Sequence, residues 1–86
     1  MISWSYKIKD EEGLHAKPAV QIASAMLPYP CQICLDSRNG KADAKNILAM
    51  LALGIGTGEE VLFSLDGEKE EDALKKLQEL TKKIGF

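Results

Sequence analysis

Residues 31–43 read C-Q-I-C-L-D-S-R-N-G-K-A-D, and the reading of this stretch decides the fold. Cys31 to Ser37 alternates as a strand does, with Ile33 and Leu35 on one face. Asn39-Gly40 is a strong signal for a two-residue hairpin, because both residues tolerate the positive φ that such a turn requires. The chain then returns as a short third strand around Lys41 to Asp43. The same reading disposes of a redox motif. Cys31 and Cys34 form C-x-x-C, but residues three apart on a strand point to opposite faces, so the two thiols should not meet. A redox pair is expected at a helix N-terminus, and a structural zinc site needs more ligands than this chain places nearby. Both cysteines read as small strand hydrophobes.

Outward from the hairpin, Ser3 to Lys9 alternates with Trp4, Tyr6 and Ile8 on one side, and D-E-E-G then makes a turn. From Ala16 onward, Ala19, Ile22, Ala23, Met26 and Leu27 follow helical spacing, and P-Y-P (Pro28 to Pro30) stops the helix. On the other side of the hairpin, Asn46 is a good N-cap for a short helix over Ile47 to Leu53, which Gly54 can end. Val61 to Asp66 is a fourth strand with Val61, Phe63 and Leu65 inward. A last amphipathic helix runs from about Glu70 to Ile84, its stripe formed by Ala73, Leu74, Leu77, Leu80 and Ile84. Its acidic start and Lys82 and Lys83 near its end complement the helix dipole. The order is β-α-β-β-α-β-α. Four strands with one apolar face imply a single sheet covered on one side by helices, an α+β architecture.

The chain has 86 residues, too few to divide into two independently folding pieces, so a single domain over 1–86 is expected. Hydrophobic residues make up 45% and charged residues 28%, the balance of an ordinary globular domain. Eleven basic residues stand against 13 acidic ones, a net charge of -2, which argues against nucleic acid as a partner. The N-terminal M-I-S-W-S-Y-K lacks the apolar stretch of a secretory signal, so a cytoplasmic location is expected. The longest apolar run, Ile47 to Leu53, is far too short to span a membrane. The glycines of G-I-G-T-G (Gly54 to Gly58) lie between a helix and a strand, whereas a phosphate cradle lies between a strand and the helix after it. They read as turn residues.

Histidine occurs once, at His15, within E-G-L-H-A-K-P-A-V (12–20). Proline is tolerated in the first turn of a helix but not in its interior, so Pro18 places the helix start near residues 15 to 17. His15 is then at or beside the N-cap, and the amides of Ala16 and Lys17 lack intrahelical acceptors. Free amides, the positive end of the helix dipole and the Lys17 ammonium all favour an anion here, phosphate above all. The same field disfavours an imidazolium, which should leave His15 neutral and nucleophilic, able to attack an activated phosphoryl group. On the residues alone, an incidental polar histidine is the commoner meaning of such a position. No other nucleophile–base pair and no metal cluster are evident, so no cofactor or metal is expected.

The second helix adds a separate hint. I-L-A-M-L-A-L is apolar all round, yet a short helix on a sheet needs one buried stripe, such as Ile47, Met50 and Leu51. Leu48 and parts of its neighbours would then form an exposed docking patch. Full burial beneath the C-terminal segment is the alternative.

These residues carry a family resemblance. G-L-H-A-K-P-A (Gly13 to Ala19) resembles the active-site signature of HPr, the histidine-containing phosphocarrier of the bacterial sugar phosphotransferase system. The likeness continues through N-G-K-A-D-A-K-N-I-L-A-M-L-A-L-G-I-G-T-G-E-E-V (Asn39 to Val61) and covers essentially the whole chain. It implies an open-faced β-sandwich, a four-stranded antiparallel sheet with three helices on one face. It implies that His15 accepts a phosphoryl group, on Nδ1 near the first-helix amides, from enzyme I charged by phosphoenolpyruvate. The group then passes to a sugar-specific enzyme IIA domain. Such a protein is a monomeric carrier rather than an enzyme, and its partners dock over the first helix and around Ile47, Leu48 and Leu51.

Two positions depart from the family's pattern. Lys17 stands where arginine is usual, keeping the charge but losing the forked donor geometry, so the resemblance implies transfer with an altered rate or partner choice. Asn46 stands where many relatives carry a serine phosphorylated by a regulatory kinase, so that regulation should be absent. The alternative function is an HPr-like regulatory module that binds partners without efficient phosphotransfer.

Overall fold

The computed structural model describes residues 1–86. Its elements are β1 (Ile2–Lys7), α1 (Ala16–Met26), β2 (Gln32–Ser37), β3 (Gly40–Asp43), α2 (Ile47–Ala52), β4 (Glu60–Asp66) and α3 (Glu70–Ile84). The order matches the sequence reading, with edges shifted by one or two residues.

The four strands form one antiparallel sheet in the order β1-β4-β2-β3. The central strand β4 explains why the alternation was so readable. Phe63 lies opposite Trp4 on one side and Leu35 on the other, so the inward residues of three strands line up in one register. Trp4 and Phe63 stack with ring centroids 6.0 Å apart. Val61, Phe63 and Leu65 are buried on this face, and Leu62 between them is exposed.

Helices supply the second layer. α1 buries Pro18, Ala19, Ile22, Ala23 and Met26, and α3 buries Ala73, Leu77 and Thr81. The fold is therefore the expected α+β open-faced sandwich with three helices. Thr81 was not on the apolar stripe read from sequence; its hydroxyl donates to the Gln78 carbonyl at 2.8 Å, which lets a polar residue sit inside. Leu27 corrects the first stripe in the other direction. It caps α1 beside the P-Y-P stop and is 65% exposed, because the helix ends at the margin of its buried face.

The hairpin forms, but one residue earlier than Asn39-Gly40 suggested: Gly40, with φ 135, already pairs with Ser37, so the two turn residues are Arg38 and Asn39, neither with positive φ. The Asn39 side chain also donates to the Leu53 carbonyl at 2.8 Å, tying the hairpin to the end of α2. Cys31 is buried with the inward face and Cys34 is half-buried on the other, and both thiols are free.

Candidate functional site

The approach to α1 is set by a close packing of backbone on backbone. Gly13 has φ +69, and a Cβ there would lie 2.2 Å from the Ile55 carbonyl oxygen. Only glycine fits that conformation and that gap. Next to it, Leu14 is buried and its amide donates to the same Ile55 carbonyl at 3.0 Å. The G-I-G-T-G segment is thus a turn, as read, and also the floor on which Gly13 and Leu14 rest. Glu59 braces that floor: one carboxylate oxygen accepts from the Gly56 amide, and the other lies 3.3 Å from Arg38.

From this support the chain reaches His15, the N-cap of α1, with φ -100 and ψ -170. Its carbonyl accepts from the Ala19 amide at 3.1 Å, but its side chain makes no capping bond. The amides of Ala16 and Lys17 have no acceptor in the protein, and Pro18 has no amide to satisfy. The first turn of α1 therefore presents two unpaired N–H groups beside the imidazole.

The imidazole itself is held between two carboxylates. Nε2 lies 3.3 Å from Asp10 Oδ2, and Nδ1 lies 3.4 Å from Glu12 Oε2. The sequence reading treated D-E-E-G only as a turn. The turn places its acids around the ring because Asp10 accepts the Gly13 amide at its carbonyl (2.9 Å) and the Glu12 amide at Oδ1 (2.9 Å). Asp10 is also fixed from behind, its amide donating to the Phe86 carbonyl at 2.7 Å. The Glu12 amide first, and then the His15 ring, hold the Asp10 carboxyl below its ordinary value. The two acids differ in freedom: Asp10 is 32% exposed and Glu12 73%.

A cavity of about 500 Å³ opens over the ring, walled by Asp10 and Glu12 on one side and by Lys17, Gln21 and Lys83 among others. The sequence reading gave Lys83 only a helix-dipole role; α3 returns its end to this place, so Lys83 shares the cavity with Lys17. The field at His15 is accordingly mixed rather than purely cationic, and the acids oppose the anion that the helix end and the two lysines favour. No three His, Cys, Asp or Glu side chains are placed to hold a metal ion.

A second cavity of about 370 Å³ lies at the β2–β3 edge, bordered by Cys34, Lys41 and Lys45. Lys45 is committed there to the backbone, donating to the carbonyls of Tyr29 and of Cys31 (2.9 Å). It holds no nucleophile–base pair.

Of the proposed docking residues, Leu48 is 78% exposed, whereas Ile47 and Leu51 are half-buried against the core. Met50 alone on α2 is buried, and α2 packs on α1 and β3 rather than beneath the C-terminal segment. Val20 on α1 adds a second exposed apolar side chain, at 43%. Asn46 caps α2 as expected, its Oδ1 accepting from the Ala49 amide at 3.1 Å.

The family model described as "PTS HPr component phosphorylation site" matches residues 2–83. Among solved structures, a histidine-containing phosphocarrier protein of Mycoplasma has TM-score 0.90 and 26% identity, the match covering 93% of this chain and 91% of that one. HPr from Thermoanaerobacter tengcongensis has TM-score 0.86 and 35% identity, covering 93% and 90%. Crh, a catabolite-repression protein of Bacillus subtilis described as a swapped dimer, has TM-score 0.73 and 28% identity, covering 96% and 95%.

Proposed function

The chain belongs to the HPr family of phosphotransferase-system phosphocarriers, and from that premise we propose that His15 carries a phosphoryl group from phospho-enzyme I to an enzyme IIA domain. One observation supports this above the others: the imidazole stands at a helix start whose Ala16 and Lys17 amides are unpaired. A phosphoryl dianion on the ring would find two donors and the positive end of the helix dipole. In solution chemistry the step is a nucleophilic attack by a ring nitrogen, with the protein supplying position and electrostatic support. Lys17 adds a point charge without a fork, so it attracts the phosphoryl group but does not grip it in two places.

Docking of both partners over α1 and α2 follows from the same reading, with Leu48 and Val20 as the exposed apolar contacts and Ile47 and Leu51 as their support. We further propose a monomer of one domain in the cytoplasm, where such partners would meet it. No helix is long and apolar enough to cross a membrane.

The test is to incubate the protein with phosphoenolpyruvate and enzyme I and measure intact mass and acid lability. A single acid-labile phosphoryl adduct, lost in His15→Ala, is the expected result. An adduct surviving in His15→Ala would sink the carrier reading, as would no adduct at all.

The likeness to Crh favours a second reading, a regulatory binding module with little transfer. Carboxylates at both ring nitrogens and lysine at position 17 fit it. It requires the absence of the adduct together with retained partner binding.

A further inference from the structure

The two carboxylates at His15 are unequal, and the inequality assigns them different work. Asp10 is tied down at its carbonyl, its amide and one carboxylate oxygen, leaving Oδ2 to hold Nε2. Glu12 has its amide engaged, but its side chain is 73% exposed, and its sole charged contact is Nδ1 of the ring. One ring nitrogen is therefore fastened and the other merely covered.

We propose that Glu12 is a removable cover over Nδ1 of His15, and that its carboxylate controls how readily the ring gives up a phosphoryl group; this rests on the carrier reading above. A carboxylate contact at Nδ1 is attractive only while that nitrogen carries a proton. For the ring to react, Nδ1 passes the proton to Glu12, and the neutral acid turns outward and releases it to water. The freed lone pair then forms the N–P bond as the donor's bond to phosphorus breaks. The electron pair of that bond leaves with the donor nitrogen, which takes up a proton. Throughout, Asp10 keeps the Nε2 proton and the ring orientation.

Once Nδ1 carries the phosphoryl group, Glu12 and the dianion occupy neighbouring space with like charge. Lys17 and Lys83 border the cavity into which the dianion projects and draw it away from the acids. The lifetime of the adduct then reflects a balance between a repelling Glu12 and two attracting lysines.

The experiment uses phosphoramidate, a small donor that needs no partner protein and leaves as ammonia. Wild type, Glu12→Gln and Glu11→Gln are phosphorylated, freed of donor, and followed by phosphorus NMR at fixed pH. The phosphorylated nitrogen is read from phosphorus–nitrogen coupling in labelled protein. Glu12→Gln should lengthen the lifetime of an Nδ1 adduct about two- to fivefold at low ionic strength. The gain should shrink at high salt. Glu11→Gln, an exposed acid of the same turn without a ring contact, should change nothing.

Equal lifetimes in wild type and Glu12→Gln would overturn the proposal. So would equal lengthening in Glu11→Gln, which would show general charge rather than a cover, or a wild-type adduct on Nε2. If enzyme I and phosphoenolpyruvate leave wild type unmodified while the Glu12→Gln lifetime effect persists with phosphoramidate, the carrier reading fails and the cover stands.

Discussion

Two helix starts in this molecule solve the same problem in opposite ways. At α2, Asn46 turns its side chain back and satisfies the Ala49 amide at 3.1 Å. At α1, His15 occupies the N-cap without a side-chain cap, and the residue matching Ala49 is Pro18, which has no amide to be capped; the Ala16 and Lys17 amides before it have no acceptor. A closed end stabilises its helix by about 1 kcal/mol. An open end forgoes that stabilisation and leaves donors for an anion. The difference lies at the third helical residue, where Ala49 has an amide to cap and Pro18 has none.

The largest effect should come from disturbing what holds the open end in place. Gly13→Ala forces a side chain into a left-handed conformation and against the Ile55 carbonyl. A loss of about 2–4 kcal/mol is expected from the combined strain and displacement, measured by denaturant unfolding. A loss below about 1 kcal/mol would show that the Gly13–Ile55 packing is not what fixes His15.

The comparison itself predicts asymmetric alanine effects. Asn46→Ala should cost about 1 kcal/mol, because it removes a real cap. His15→Ala should change stability by less than about 0.5 kcal/mol, since no cap is lost. The sharper variant is His15→Asn. It cannot close α1 as α2 is closed, because Pro18 stands where Ala49 offers its amide, so stability should change by less than about 0.5 kcal/mol while the phosphoryl acceptor is abolished. A His15→Asn variant stabilised by about 1 kcal/mol would show that the new side chain caps the Lys17 amide instead.

Acid titration tests the support at Asp10. Its carboxyl is held below the usual value by the Glu12 amide and then by the His15 ring. A depressed folded value means that stability is present above the unfolded value of about 4 and lost as pH falls through the lower folded one. Asp10→Asn should therefore flatten the stability profile below pH of about 4 relative to wild type, as followed by unfolding at successive pH values. An unchanged acid limb would show that Asp10 is a bystander.

The parts of this site that were legible in sequence are those fixed by local rules. Pro18 marked the start of α1 because a missing amide and a fixed φ act within one turn. Alternation in β4 was readable because every second residue meets the same core. Asp10 and Glu12 were not recognised, because their place at the ring depends on Gly13 turning left-handed against a carbonyl 42 residues away, at Ile55. Lys83 was missed for a similar reason: its charge was visible, but α3 had to be docked before it bordered the cavity. On α2 the helical spacing put Ile47, Met50 and Leu51 on the buried stripe, but could not decide whether Leu48 is exposed or covered by the C-terminal segment; packing leaves Leu48 exposed and buries Met50 alone completely. Local chemistry pointed to His15. Tertiary packing chose its neighbours.

The smallest effect should be at Lys17, the residue that departs from the family's usual arginine. Lys17 forms no ion pair and borders the cavity with Lys83, so the site already contains two cations and two unpaired amides. Lys17→Arg keeps the charge and adds a second donor to a phosphoryl group held by several others. The rate of phosphoryl uptake from enzyme I should therefore change by no more than about threefold, close to what one extra exposed charge-assisted contact supplies. Lys17→Gln, which removes the charge, should slow uptake more than Lys17→Arg alters it. If arginine instead accelerated uptake by well over tenfold, fork geometry rather than the open end of α1 would be the dominant support for the anion. The contrast between the two helix starts would then matter less than the side chain beside one of them.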